Sequence, residues 1–260
     1  MKNKKNVVII SDCKDVAYTE MKRIILDECE KLGCEDVEIE LVGVAEFSII
    51  NAAFLTRLVA EIYPAGTVIS VVINPQKHRS SRIYGRTSKG HLFFGANTGA
   101  LSWLIEDFGV EELYEIHDPG FVPFGGKYVH APNIAKLVAG IPFKDFGKKF
   151  PLDSLTRINL REGAAVHIDN FGLIKIYGKT PTYEDGTRLR IKVNNRKIIK
   201  AVFSKRMMDR DDKEWVLYPG SSLNSLPELG TVRYAHGFKD VGIKIGDIIT
   251  WEPIENDDKE

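Results

Sequence analysis

The sequence has few cysteines, and this shortage excludes a class of protein. Only three cysteines occur among 260 residues, all within the first 34, which is too few for a small secreted domain held together by disulfides. No histidine lies near them in the sequence, and Cys29 and Cys34 lack the spacing of a zinc-binding pair. We therefore expect reduced, buried thiols, no metal site and a cytoplasmic protein.

An excess of charge of one sign and a long hydrophobic run are also missing. Lysine and arginine number 36, as do aspartate and glutamate, so the formal net charge is zero. A protein that binds nucleic acid through its phosphates usually carries a basic excess. The apolar run behind the basic N-terminus, residues 7–10, is too short for a signal peptide or a membrane span. We expect no nucleic-acid partner and no membrane association.

The order of the predicted elements divides the chain in two. Apolar runs at 7–10, 37–44, 67–73 and 91–95 predict strands, and amphipathic stretches at 19–32, 48–62, 99–109 and 133–138 predict helices. This alternation predicts an α/β domain with a mainly parallel sheet over residues 1–152. The remainder, residues 153–260, holds only short apolar segments separated by glycine and asparagine turns. That pattern predicts a small all-β, barrel-like domain.

Two polar residues follow predicted strands of the α/β domain. Asp12 comes after the first strand and Asn74 after the third. In open α/β sheets ligands bind beyond the carboxyl ends of the strands. A carboxylate at position 12 could accept two hydrogen bonds from a ribose diol, but it could equally cap the next helix or loop. The residues alone leave both interpretations open.

Small residues and turn signals recur in a characteristic order between residues 52 and 140. The order is Ala52-Ala53, Tyr63-Pro64-Ala65-Gly66-Thr67-Val68-Ile69, Asn74-Pro75, Gly95-Ala96-Asn97-Thr98-Gly99-Ala100-Leu101 and Ala131-Pro132. It resembles the family of S-adenosylmethionine (SAM) hydroxide and halide adenosyltransferases, which includes SAM hydrolases and fluorinating and chlorinating enzymes. The resemblance implies an α/β domain followed by a β-barrel domain, a homotrimer with pockets shared between subunits, and SAM or adenosine as the ligand. It implies no separate cofactor.

The same resemblance assigns five substrate-binding residues. Asp12 matches the aspartate that holds the ribose hydroxyls, and Phe47 lies where halogenating enzymes place an aromatic residue against the nucleoside. In the second domain Asp169 and Phe171 match an Ile-Asp-x-Phe-Gly-Asn motif, and Ser221 falls in a loop similar to a later serine-containing one. Without the resemblance, Phe47 would be a hydrophobic staple for the next helix, and Asp169 would begin a hairpin turn.

Three further residues occupy positions where the family's hydrolases hold the attacking water with an aspartate, an arginine and a histidine. Here the aspartate position is Asn74 and the histidine position is Gly125. Arg82 aligns with an arginine of the motif, while Ser81 occupies the position that matches the catalytic arginine more closely. Neither an amide nor a glycine accepts a proton as those side chains do. His78 and Arg79 could supply substitutes, although a solvated basic loop is the simpler interpretation. His130, which precedes Ala131-Pro132, is expected to be structural.

Two functions follow from these observations. The first is an enzyme with a weakened site, which hydrolyses SAM to adenosine and methionine by substitution at C5′. The second is a nucleoside- or SAM-binding protein that lost the chemistry. Leu173, which replaces the asparagine that reads the amino-acid end of SAM in the family, suggests a third: a changed substrate without that end.

Overall fold

Each of two units of the chain is built on a seven-stranded sheet. The computed structural model describes residues 4–73, 80–117 and 120–254. The units comprise Met1–Ile158 and Asn159–Glu260. The division of the chain into independent domains after residue 152 stays a prediction.

The first sheet has the strand order β2-β1-β3-β5-β4-β6-β7. Its strands are β1 (Lys5–Ser11), β2 (Val37–Gly43), β3 (Val68–Val72), β4 (Arg82–Arg86), β5 (Leu92–Ala96), β6 (Glu112–Ile116) and β7 (Gly147–Lys149). Its helices are α1 (Asp15–Lys31), α2 (Ile49–Ile62), α3 (Ser102–Phe108) and α4 (Ala131–Ala139), with one π-helical turn at Gly126–His130. In the described part of the chain, no helix is both long and apolar enough to cross a bilayer.

Alternation along the buried strands places helices on both faces of this sheet. Val7 and Ile9 of β1 belong to the core cluster that contains the buried residues of α1 and α4. Val8 and Ile10 are equally buried and point the other way, toward the side where α2 contacts β1 and β3 and packs against α3. Strand β3 is buried along its whole length, as expected for a strand covered on both faces.

The sheet is mixed, whereas the sequence predicts a mainly parallel one. Among the described residues, β1 pairs parallel with β2 and β3, and β3 with β5. Strands β4, β6 and β7 join by antiparallel pairing. These three strands are absent from the sequence prediction because they are short and mix apolar with charged or glycine residues, as in Arg82–Arg86.

The second unit is predominantly β, with the strand order β14-β10-β11-β12-β13-β9-β8. Its elements are β8 (Ala165–Ile168), β9 (Ile174–Ile176), β10 (Arg188–Val193), β11 (Lys197–Phe203), β12 (Trp215–Pro219), β13 (Pro227–Thr231), the five-residue helix α5 (Gly237–Val241) and β14 (Ile249–Pro253). Among the described strands of this second unit, only β11 and β12 pair parallel. A bridge between Ala164 and Ile248, beside β8 and β14, links the two ends and makes the sheet curl. Closure into an all-β barrel stays a prediction.

Candidate functional site

One edge of the first sheet collects most of the predicted site residues of that unit. The carboxyl ends of β1 and β3 meet there, with Ser11 opposite Val72. Because β4 runs antiparallel to β5, its first residue, Arg82, lies opposite Ala96 at the same edge. Strand β1 lies between β2 and β3. The chain therefore passes from β1 to one side of the sheet to form β2, and then crosses to the other side to form β3. Ligands in open α/β sheets bind at such a reversal of strand order.

Asp12 and Phe47, predicted from separate parts of the sequence, lie together at this edge. The Oδ2 atom of the half-buried Asp12 accepts a hydrogen bond of 2.9 Å from the backbone N–H of Phe47. The Phe47 ring is 64% exposed, and its backbone has φ +55°. The other carboxylate oxygen, Oδ1, lies 4.0 Å from Cys13 Sγ. The carboxylate therefore fixes the loop before α2 and sits next to an exposed aromatic ring.

Hydrogen bonds hold the backbone around Asp12 in place. The buried Ser11 hydroxyl donates to the Val72 carbonyl (2.6 Å) and accepts from the Cys13 N–H (2.9 Å). The side chain of Asn51 in α2 accepts from the Ala45 N–H (2.9 Å). These bonds join the end of β1 to the end of β3 and tie the loop that carries Phe47 to α2, so the edge is preorganised.

Arg82 and Gly125, two of the predicted catalytic positions, also lie together. A Cβ atom on Gly125 would stand 2.7 Å from Arg82 Nη2, closer than carbon and nitrogen atoms approach without displacement. The backbone of Gly125 has ordinary helical angles (φ −59°, ψ −37°), and a side chain at this position would have to displace only the flexible end of Arg82. The Arg82 guanidinium thus lies against the backbone of Gly125, and the catalytic role of both positions stays a prediction.

A cavity of about 300 Å³ opens beside Arg82, near the lower limit for small-ligand pockets. It is lined by Ser80, Ser81, Arg82, Glu115, Ile116, His117 and Lys148. The charges of Glu115 and Lys148 pair at 2.9 Å. The polar lining of this cavity suits a polar ligand or ordered water.

Other predicted residues of this region cannot be placed in the same way. Asn74, His78 and Arg79 lie outside the described residues.

In the second unit Asp169 organises a tight turn. Its Oδ1 atom accepts hydrogen bonds from the backbone N–H groups of Phe171 and Leu173, each at 2.9 Å. The Phe171 ring is 66% exposed, and Ser221 is exposed as well. Leu173 points at Gly230, where a Cβ would stand 2.5 Å from Leu173 Cδ2. This side chain packs within its own unit and supplies no polar group.

Sequence reasoning missed a row of polar side chains beside the Asp169 turn. His167, Lys175, Glu228 and Tyr218 are direct cross-strand neighbours on β8, β9, β13 and β12. They alternate with core residues such as Ile174 and Leu229, so they share the opposite face of the sheet. Two-residue periodicity could have revealed Lys175 in its Ile-Lys-Ile strand, but β13 begins with proline and contains glycine, which hid Glu228.

Glu228 is the centre of this row. It is 3% exposed, accepts from Lys175 Nζ at 2.5 Å and from Tyr218 Oη at 2.6 Å. Burial and the Glu228 charge raise the pKa of the Tyr218 hydroxyl, whereas burial and the Lys175 charge lower the pKa of His167. A Cβ on Gly220 would overlap Glu228 Oε1. A glycine here makes room for the buried carboxylate.

The described side chains contain no group of three histidine, cysteine, aspartate or glutamate residues that could hold a metal ion. What the first unit offers instead is a carboxylate, an exposed ring and a guanidinium at one sheet edge. The second unit offers the Asp169 turn and, beside it, the buried ion pair of Lys175 and Glu228. Small-molecule sites in proteins commonly contain a few polar groups of these kinds.

Two solved structures share this fold over nearly the whole chain. An uncharacterized conserved protein from Thermotoga maritima has a TM-score of 0.81 at 22% identity, and a conserved hypothetical protein from Thermus thermophilus has 0.76 at 18%. Each comparison covers 95% of this chain and 100% of the other.

A curated relative is similar over part of the sequence. It is the (R)-S-adenosyl-L-methionine hydrolase of Methanocaldococcus jannaschii, 24% identical over 168 residues, which are 61% of this chain. The chain spans 62% of the length of that relative. The sequence model of the SAM hydroxide adenosyltransferase N-terminal domain matches residues 7–147, more than half of the chain. The chain therefore belongs to the SAM hydroxide adenosyltransferase family.

Proposed function

We propose that this protein hydrolyses SAM to adenosine and methionine. A water oxygen forms a bond to C5′ of the ribose while the C5′–S bond breaks. The sulfur takes the bonding pair and leaves as the neutral thioether of methionine, and one water proton passes to solvent. Because a sulfonium is already an activated leaving group, holding water in line with it and excluding other solvent can supply much of the rate.

The placement of Asp12 supports this proposal most directly. Its carboxylate stands where β1 and β3 end and the strand order reverses, which is the ligand-binding position of such sheets. One oxygen is used by the Phe47 N–H, but each carboxylate oxygen has more than one acceptor site. A ribose diol can therefore bind while the Phe47 bond persists, and the exposed Phe47 ring can pack on the nucleoside.

The remaining predicted residues receive roles in the same proposal. Arg82, beside Gly125 at the same sheet edge, orients the water or the leaving group. In the second unit Asp169, Phe171 and Ser221 bind the substrate. The Asp169 turn is rigid, since two backbone N–H groups hold its carboxylate.

The named relative suggests which form of SAM to test. The sulfonium sulfur is a stereocentre, and the Methanocaldococcus jannaschii protein is named for the (R) form. Both epimers should be incubated with the protein, and adenosine and methionine should be measured by chromatography. We expect equimolar products, with (R)-SAM consumed faster. If neither epimer yields adenosine above the uncatalysed rate, the proposed hydrolysis is wrong.

A non-catalytic SAM- or nucleoside-binding protein is the second candidate, favoured by Gly125 and Leu173. Gly125 brings no proton acceptor, and Leu173 is turned toward Gly230. Calorimetric titration separates the two candidates. Saturable binding of SAM without adenosine formation supports the second candidate and excludes the first.

A further inference from the structure

Two adjacent cavities lie at the edge of the first sheet opposite to the one that carries Asp12. Their volumes are about 340 and 220 Å³, so together they reach the size of small-ligand pockets. Strands β3 and β5 begin at this edge, and β4 ends there with Arg86 opposite Leu92 of β5 and Glu112 of β6. We refer to the pair as the double cavity, since both members are lined by Arg86, Leu92, Leu137 and Gly140.

The smaller member of the double cavity is mainly apolar. Three glycines and five hydrophobic residues line it, the latter being Val68, Leu92, Leu137, Val138 and Ala139. Lys5, Asn6 and Arg86 complete the lining. The C-terminus of α4 borders this space, and the carbonyl groups at a helix C-terminus carry a partial negative charge. The smaller cavity therefore suits a hydrocarbon group rather than an anion.

The larger member carries the charged groups. Arg86 and Lys144 line it together with one acidic residue, Glu112, and all three are exposed. The Arg86 guanidinium lies over the Phe143 ring, 5.7 Å from its centroid. Within the described part of the chain, no carboxylate forms an ion pair with Arg86 or Lys144. Two cations and one anion leave a single net positive charge, which a monoanion complements.

Tyr114 adds a hydrogen-bond donor to the larger cavity, which it lines. The residue is 8% exposed, and its ring stacks on Tyr84 and meets Phe143 edge-on, with centroids 5.8 and 5.7 Å away. The Tyr84 hydroxyl donates to the Phe143 carbonyl at 2.8 Å, whereas no described residue accepts a hydrogen bond from the Tyr114 hydroxyl. A tyrosine buried to this extent usually has a partner for its hydroxyl. The cavity is where such a partner can bind.

We propose that the double cavity binds a small monocarboxylate with a hydrocarbon chain. The carboxylate accepts hydrogen bonds from the Arg86 guanidinium and the Tyr114 hydroxyl, and the Lys144 ammonium adds a second positive charge. A guanidinium matches the two oxygens of a carboxylate, and Glu112 repels the second charge of a phosphate dianion. The hydrocarbon chain lies in the smaller cavity, where burial of apolar surface favours binding. This site is separate from the proposed SAM hydrolysis and does not depend on it.

Calorimetric titration of the full chain with octanoate tests this inference, and octylamine is the probe with the same chain and the opposite charge. We expect saturable binding of octanoate and much weaker binding of octylamine. Arg86→Gln should raise the Kd of octanoate about 10-fold, since a hydrogen bond to a charged group is lost. Arg196→Gln, which removes an exposed arginine of the second unit, is the matched control and should keep the Kd within about twofold.

Two further measurements separate this site from general attraction of anions and from the Asp12 edge. Tyr114→Phe keeps the ring but loses the hydroxyl, so the Kd should rise about 3- to 10-fold, with circular dichroism showing a folded chain. Saturating adenosine should leave octanoate binding unchanged, because the proposed nucleoside site lies at the other edge of the sheet.

Several results would overturn the inference while the proposed hydrolysis stands. They are a lack of saturable octanoate binding, equal affinity for octylamine, an unchanged Kd in Arg86→Gln or in folded Tyr114→Phe, and an equal rise of the Kd in Arg196→Gln. Displacement of octanoate by adenosine would also overturn it, since the fatty acid would then occupy the Asp12 edge. Because Arg86 is exposed, its variant tests the site even if Tyr114→Phe does not fold.

Discussion

At the scale of single residues, Asp12 shows that a structural and a binding role can coexist. The sequence left open whether its carboxylate caps backbone or binds a ligand. The structure shows the capping bond, to the Phe47 N–H rather than to the helix that follows Asp12. The same bond places an exposed aromatic ring beside the carboxylate. Capping therefore positions the group for the binding we propose.

Replacing Asp12 should weaken nucleoside binding more than it weakens the fold. We expect Asp12→Ala to reduce adenosine affinity by about 1.5–3 kcal/mol, the scale of hydrogen bonds to a charged group. Asp12→Asn is the control, because its amide oxygen can still accept from the Phe47 N–H while the negative charge is lost. Calorimetry should place the asparagine variant between the wild type and the alanine variant. Unchanged affinity in Asp12→Ala would exclude a ribose contact.

His130 gives a second residue-scale expectation, on the pH dependence of stability. Its pKa is about 3 in the folded chain against 6.5 as an ordinary value. The unfolded chain therefore takes up a proton near pH 6.5 that the folded chain refuses, so the free energy of unfolding falls as pH drops from 6.5 to 3. At pH 5 this loss is about 2 kcal/mol.

Urea unfolding at pH 7 and pH 5 measures that loss. Because burial also lowers the pKa of His167, the wild type must be compared with His130→Phe rather than considered alone. We expect the phenylalanine variant to lose less stability on acidification, by about 2 kcal/mol. Identical pH dependence in the two chains would mean that His130 is not buried as a neutral ring.

At the scale of elements, prediction from sequence succeeded where a strand carries apolar side chains on both of its faces. The β-branched residues of the wholly buried strand Val68–Val72 predict a strand clearly. The antiparallel strands of the first sheet were missed because short strands with mixed side chains lack that signal. In the second unit the strand Pro227–Thr231 was missed, although all five of its residues are buried. Because proline and glycine normally mark the ends of strands, their presence in this segment argued against a strand.

The polar row of the second unit yields the element-scale prediction. Lys175 and Glu228 pair where their side chains are only 12% and 4% exposed, and removing one member of a buried pair leaves an unpaired charge. Lys175→Met should lower the free energy of unfolding by about 3–5 kcal/mol, measured by urea denaturation. Adding Glu228→Gln should recover part of it, since the amide oxygen can still accept from Tyr218.

An exposed ion pair is the control for this prediction. Lys31 and Glu28 of α1 approach to 2.6 Å, but the lysine side chain is 68% exposed. Solvent screens such pairs, so Lys31→Met should leave the unfolding midpoint nearly unchanged. Equal effects of the two lysine variants would show that burial does not govern the strength of the inner pair.

At the scale of the whole molecule, the candidate site was predictable in its parts but not in its contacts. The order of motifs named Asp12, Arg82 and Gly125, and the register of the strands explains why Asp12 and Arg82 reach one edge. No sequence pattern joins Asp12 to Phe47, because this contact depends on a left-handed backbone at Phe47. Local propensity does not encode such a conformation strongly.

The assembly of the molecule carries the last prediction. We propose a homotrimer in which ligand binding needs more than one copy, as the resemblance to SAM hydroxide and halide adenosyltransferases implies. Sedimentation of the wild type should show a stable oligomer, and dilution below its dissociation constant should weaken adenosine binding. Phe171→Ala should weaken binding as well, because stacking on a base contributes about 1–3 kcal/mol. A stable monomer that binds adenosine at full affinity would rule out the shared site, because one chain would then supply every contact that the ligand needs.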